Sequence, residues 1–298
     1  MQTITVTITE QEEGRKVRSV LKGRLGFSSH AIGGLTRRET GILVNGQRAF
    51  STAVLHAGDV LTVEIGDVRP LTTDIIPCDV PLPIVYEDAY LLVVNKPAGM
   101  AALASSFLPE TPTVAGALAW QKGEASLFHV VNRLDKGTTG LMTVAKSGYV
   151  HNLLRKLLHS PDFFREYRSV CVGCPEPPAG TIDLPIGRAE DSAVRRCIRE
   201  DGAPSVSHYE VLESAGGFSL LRLVPETGRT HQLRLHMSAL GHPLTGDWLY
   251  GTEDRDLISR PALHSCFLRL RHPVTGELLE LSAPLPEDMR RLLKRDVP

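Results

Sequence analysis

The chain has 298 residues, 42% hydrophobic and 22% charged, with a net charge of -1. That length fits about two domains of roughly 150 residues, and the composition is that of an ordinary soluble globular protein. Five cysteines, an odd and sparse set, argue against a disulfide framework. No apolar run approaches the ~18 residues of a membrane span, and the start, Met1 to Val6, lacks a basic segment followed by an apolar one. A cytoplasmic protein with no membrane partner is expected.

Residues 1–66 read as a small α/β domain. Ile4, Val6 and Ile8 alternate as a strand, and Val17, Val20, Leu21 and Leu25 recur at helical spacing. Ser28-Ser29 caps a second short helix that Leu35 ends. Gly41 to Gly46 gives a strand and an Asn-Gly turn, and Ala57 to Val63 a further strand. Between Gly14 and Arg48 stand Arg15, Lys16, Arg18, Lys22, Arg24, Arg37, Arg38 and Arg48 against Glu39 alone, a local balance of 8 - 1 = +7. So one-sided a cluster in a small module favours phosphate contact.

Residues 67–83 carry Pro70, Pro77, Pro81 and Pro83 with little periodicity, as an extended linker would. A second domain is expected over 84–298. Leu91 to Val94 reads as a short buried strand, and Ser147 as the cap of a helix with an apolar stripe of Val150, Leu153, Leu154, Leu157 and Leu158. Strands follow at Tyr167 to Val172, Val206 to Leu212, Phe218 to Val224 and Leu278 to Ser282, then a helix from Glu287 to Arg295. Helices interspersed among strands with no repeating strand-helix unit predict an α+β fold, with a mixed, mainly antiparallel sheet flanked by helices. Cys171 and Cys174 have the spacing of half a zinc site. No second pair exists, and buried thiols are the expected reading.

Two segments carry chemistry. In Asn132-Arg133-Leu134-Asp135-Lys136-Gly137-Thr138-Thr139-Gly140, a carboxylate sits between apolar runs at a strand end and tight turn. In Glu226-Thr227-Gly228-Arg229-Thr230-His231-Gln232-Leu233-Arg234-Leu235-His236, cations and hydrogen-bond donors crowd a predicted helix start, with Arg229, Gln232 and His236 on one face. Together they resemble the RluA/RluD family of RNA pseudouridine synthases. The likeness continues through Asn95-Lys96-Pro97-Ala98-Gly99-Met100, Arg165-Glu166-Tyr167, Leu184 to Arg188, His208 to Leu212, Gly241 to Asp247 and Leu263-His264, in order and spacing over most of residues 84–286. Residues 1–66 are similar to the alpha-L RNA-binding module that accompanies many such catalytic domains.

The resemblance implies an isomerase that turns uridine into pseudouridine in structured RNA, large-subunit ribosomal RNA first, working as a monomer without a cofactor or metal. It assigns the essential carboxylate to Asp135, a guanidinium partner for it to Arg229, and a tyrosine against the target base, credited with proton removal at C5, to Tyr167. It places Arg133 in the stack that the flipped base vacates. Lys96, Arg188 and Arg234 stand as phosphate-binding or structural cations, and Arg15, Lys16, Arg37 and Arg38 as RNA contacts of the module.

The chain departs from the family pattern at Asn132, where a histidine is usual, and at Gly137, Thr139, Ala101-Ala102 and Ala203. Two rival readings follow from the residues. One is a non-catalytic RNA-binding or ribosome-assembly factor on the same scaffold. The other is a metal hydrolase using His231, His236 and His242.

Overall fold

The computed structural model describes residues 2–66, 75–104, 110–123, 128–158 and 160–294. Part of the expected linker (67–74) and the expected helix end at Arg295 lie outside them. Near the N-terminus come β1 (Thr3–Thr7), α1 (Val17–Gly23), α2 (Ser29–Leu35), β2 (Ile42–Val44), β3 (Gln47–Arg48) and β4 (Val60–Glu64). The strands form a four-stranded sheet in the order β1-β4-β2-β3, antiparallel throughout. Helix α1 forms because Val17, Val20 and Leu21 recur on one buried face. At the start of α2 the Ser28 hydroxyl accepts the Ala31 N–H at 3.1 Å. Asn45 and Gly46, at φ of 53° and 78°, supply the two left-handed positions of the β2–β3 turn.

The larger sheet is assembled from β5 (Ile84–Glu87), β6 (Leu91–Lys96), β7 (His129–Val130), β8 (Thr139–Ala145), β9 (Phe163–Val172), β10 (Ala179–Asp183), β13 (Val206–Ala215), β14 (Phe218–Pro225), β15 (Leu263–Arg271) and β16 (Leu278–Ser282). A separate small ribbon pairs β11 (Ile186–Arg188) with β12 (Arg196–Ile198). The helices are α3 (Val114–Lys122), α4 (Gly148–Leu157), α5 (Gln232–Ala239) and α6 (Glu287–Leu293). The strand path is β10-β13-β14-β9-β15-β8-β6-β5, with β16 on β15 and β7 on β8. The β8–β15 pair is parallel and the other pairs antiparallel, so the fold is α+β with the mixed, mainly antiparallel sheet expected.

Strand β9 begins at Phe163, earlier than the sequence suggests, because β15 pairs with it as far as Leu270 opposite Phe163. Its alternation turns Phe163, Arg165, Tyr167 and Ser169 to one face. Helix α3 has no apolar period to announce it: six of its residues, from Val114 to Ala119, are buried.

One apolar core spans both sheets, joining Leu21, Leu61 and Val63 to Leu91, Val93, Leu141, Val150 and Leu154. Phe27 stacks on Tyr149 of α4 with centroids 4.1 Å apart, and the Tyr149 hydroxyl donates to Leu25 O at 2.8 Å. Burial pushes that phenol up to about 12. A second cluster, including Leu92, Val94, Met142, Tyr167, Leu223, Leu233 and Met237, lies under the loops that carry the two motif segments.

The parallel crossing depends on Gly140. At φ of 109°, its Cβ position would fall 2.2 Å from Ser265 O of the neighbouring strand. Gly140→Ala is expected to lower stability by roughly 3 kcal/mol or more, read as a fall in the urea midpoint with little change in slope.

Candidate active site

A cavity of ≈ 700 Å³ opens between the β7–β8 loop, which carries Asp135, and the β14–α5 loop from Pro225 to His231. Arg165 and Tyr167 project into it from β9. The volume falls in the range that holds a small organic ligand. Asp135 is 27% exposed at the side chain. Its carbonyl accepts the Thr138 N–H at 3.0 Å, closing the tight turn. The next carbonyl, of Lys136, accepts the Gly99 N–H at 2.9 Å, so the β6 exit segment braces the loop. Asn132, buried where the family has histidine, accepts the Thr143 N–H at 2.8 Å.

The guanidinium beside Asp135 is that of Arg234, with Nη1 3.5 Å from Oδ2. Its Nε and Nη2 form two parallel 2.7 Å hydrogen bonds to Asp247, which is fully buried. The Tyr250 ring lies 5.2 Å from the guanidinium carbon. Burial works against the charge on Arg234, but the Asp247 bonds and the Asp135 carboxylate raise its pKa above the usual arginine value.

The expected pairing of Asp135 with Arg229 is therefore corrected. His231 adopts a left-handed conformation, φ 59°, and the helix begins only at Gln232. Arg229 lies in the preceding turn, lining the cavity, with Nε donating to Pro204 O at 3.3 Å. Arg234 falls on the inward side of the first helical turn. The shared face of Arg229, Gln232 and His236 is corrected for the same reason. Gln232 is a buried strut whose Oε1 accepts from the Arg229 N–H and the Thr227 hydroxyl, and whose Nε2 donates to Val206 O and the Ser207 hydroxyl.

His236 Nδ1 accepts from that same hydroxyl at 2.9 Å and Nε2 donates to Leu184 O at 3.0 Å, and burial keeps its pKa below the ordinary histidine value. Both ring nitrogens are occupied, which removes His236 from the metal-ligand reading. His231, also lowered by burial, bonds through Nδ1 to the Tyr250 hydroxyl at 3.0 Å.

Other sequence-selected cations divide by burial. Lys96 is 0% exposed, and its Nζ donates to the carbonyls of Pro97, Met100 and Lys136 at 2.9, 2.8 and 3.3 Å. Burial pushes it down to about 7 against the pull of Asp135. It ties β6 to the Asp135 loop and is not free to meet a phosphate; nor is Arg234. Arg38 is committed to Glu64 at 3.2 Å and Gly66 O at 2.9 Å. Arg133 is exposed at the cavity, and Arg188, Arg15, Lys16 and Arg37 are exposed elsewhere. Cys171 is buried in the core beneath the cavity and Cys174 is exposed.

Tyr167 is 6% exposed, and burial raises its phenol above the ordinary value. Arg165 received no role from the sequence. The signal was present in its spacing from Tyr167, since residues two apart on a strand share a face.

The RNA pseudouridylate synthase family model matches residues 90–239. YjbO of Bacillus subtilis (strain 168), described as an uncharacterized RNA pseudouridine synthase, is 37% identical over 274 residues, covering 91% of this chain and 96% of its own. Ribosomal large subunit pseudouridine synthase D of Vibrio parahaemolyticus is 40% identical over 227 residues, 71% of this chain and 69% of that one. The solved structure of human RNA Pseudouridylate Synthase Domain Containing 1 matches with a TM-score of 0.56 at 31% identity, over 68% of this chain and 83% of that one. The chain belongs to the RluA/RluD family of RNA pseudouridine synthases and is an isomerase acting on RNA.

Asp247→Asn keeps one acceptor oxygen but removes the charge that answers buried Arg234, leaving Asp135 at 3.5 Å as its remaining carboxylate. Asp247→Asn is expected to cost about 3 kcal/mol of stability and to slow the reaction, measured by urea unfolding and by pseudouridine yield per folded enzyme.

Proposed function

We propose that Asp135 is the carboxylate that starts the isomerisation, and that the target is a uridine of large-subunit ribosomal RNA. The observation that carries the first part is the Arg234–Asp135 pair at the mouth of a cavity large enough for one nucleotide. The guanidinium favours the ionised carboxylate and limits its rotation. Uridine and pseudouridine have the same atoms and oxidation state, so the reaction calls for no redox cofactor. Asp135 can add to C1′ of the ribose or remove the C2′ proton. By either route the N1–C1′ bond breaks and the uracil leaves with the bonding pair and turns; C5 then bonds to C1′ as the Asp135 ester bond breaks or the C2′ proton is returned, the C5 proton leaves and N1 takes one up.

Tyr167 forms the cavity wall behind the base. A phenol held neutral by burial can take up the C5 proton only after passing on its own, so contact with the base is the role its environment favours. Arg229, at the rim, and Arg133, exposed beside Asp135, meet the RNA: Arg133 stacks in the place of the extracted base and Arg229 meets the backbone. Arg188 is a backbone contact, and Arg15, Lys16 and Arg37 form the RNA face of the N-terminal module over residues 1–66. The ribosomal target rests on the function named for synthase D of Vibrio parahaemolyticus. The protein acts as a monomer in the cytoplasm; no helix of the described residues is long and apolar enough to cross a membrane.

Asp135→Asn is expected to reduce pseudouridine formation by roughly 10³-fold or more, with melting temperature and RNA affinity near those of the wild type. Mapping pseudouridine in RNA from a strain lacking the protein should show one or more large-subunit positions lost and restored by the wild-type gene alone. Turnover by the Asn variant rejects Asp135, and loss confined to transfer RNA rejects the ribosomal target. RNA binding with no position lost would leave a non-catalytic RNA-binding factor.

A further inference from the structure

Four lysine and arginine side chains are buried among the described residues: Lys96, Arg165, Arg234 and Arg260. Three have partners that answer their charge. Lys96 is held by carbonyls, Arg234 by Asp247, and Arg260 by Asp288 at 2.7 and 2.9 Å. Arg165 is different. It is 8% exposed, its Nε is buried without a partner, and its guanidinium makes no hydrogen bond or ion pair with any described residue. Its contact is the ring of Phe163, 5.8 Å from the guanidinium carbon.

A guanidinium does not shed its proton to escape such a site, and leaving a buried cation unanswered is destabilising. The same side chain lines the catalytic cavity, about 7 Å along β9 from Tyr167. From the opposite side, the β14–α5 loop approaches closely: a Cβ on Gly228 would stand 3.6 Å from Arg165 Nη1. The largely buried guanidinium thus borders the space where a nucleotide enters.

We propose that Arg165 donates to a carbonyl oxygen of the target uracil and holds the negative charge that gathers on the base as the N1–C1′ bond breaks. This rests on the assignment of Asp135 to the ribose. Both routes open to that carboxylate release the uracil with the electron pair of the broken bond, spread over N1 and the ring carbonyl oxygens. The charge is discharged when C5 bonds to C1′; the C5 proton then leaves as N1 takes one up, so no co-reactant is required. Burial favours the base over a phosphate as the anion met. The backbone of an extruded nucleotide stays at the mouth, where Arg133 is exposed, and the base goes in first. A preorganised donor that answers charge present only in the transition state acts on the rate more than on affinity.

The test uses the full-length protein with Arg165→Met and Arg165→Lys, and a stem-loop RNA spanning the uridine found by mapping. Arg165→Met is expected to lower the single-turnover rate by roughly 10² to 10³-fold. Its RNA Kd should stay within about twofold and keep its salt dependence, and its melting temperature should match or exceed that of the wild type, since an unanswered charge has been removed. Arg165→Lys keeps a charge and should retain more of the rate than the Met variant. A weakened Kd with a salt slope reduced by about one would make Arg165 a phosphate contact. A lower melting temperature or failure to fold in Arg165→Met would make it a structural cation. Either result overturns the inference, as does an unchanged rate. Asp135→Asn in the same assay separates the two readings: its turnover would remove the parent assignment, whereas an inactive Asn variant beside a fully active Arg165→Met would remove this one alone.

Discussion

Asp247, Arg234 and Asp135 form a line of alternating charge running from the core to the cavity. The inner carboxylate is fully buried and takes two guanidinium nitrogens, leaving Nη1 for the outer one. A buried ion pair is weak evidence for net stability, because desolvating both partners offsets most of their attraction. Its value here is orientation. Asp247 also accepts the N–H groups of Leu249 and Tyr250, so the segment after α5 is fixed by the same carboxylate that aims Arg234.

The surrounding fold serves that line. His231 in the left-handed region delays the start of α5 until Gln232, which decides that Arg234 and not Arg229 turns inward. The Asp135 loop is braced from beneath by Lys96, whose three carbonyl bonds include Lys136 O. Strand β9 completes the cavity with Arg165 and Tyr167, held between its antiparallel neighbours β14 and β15. The segments that line the cavity therefore come from separate places in the chain, and none forms it without the sheet that gathers them.

How much of this could be read from the residues depends on the range of the interaction. The Asp135 turn was legible because apolar runs flank it, and α4 because its stripe recurs every three to four residues. The partner of Asp135 was not, since it depends on where a helix starts to within two residues, and that start is set by one unusual backbone conformation. The residues alone leave Lys96 open between a phosphate-binding and a structural cation. Its burial follows from the β6–β8 pairing, a contact between residues some 45 apart. Helix α3 is enclosed on every side and so lacks an amphipathic period, while a register shift between Ser265 and Phe267 breaks the alternation of β15. Arg165 took no role from the sequence because its lack of a partner is a tertiary outcome: the neighbouring Glu166 turns to the opposite face and pairs with Arg222 at 2.6 Å.

The stacking of Phe27 on Tyr149 reaches beyond local packing. Helix α4 is covered partly by the large sheet and partly by residues near the N-terminus, with Leu25 and Gly26 carbonyls accepting from Tyr149 and Asn152. A chain shortened to begin after residue 66 would present the naked flank of α4 to water, with Tyr149, Leu153 and Leu157 forming an adhesive strip. The N-terminal segment thus acts as a fixed lid on the oily side of its neighbour, and melting of one should draw the other with it in a single cooperative event.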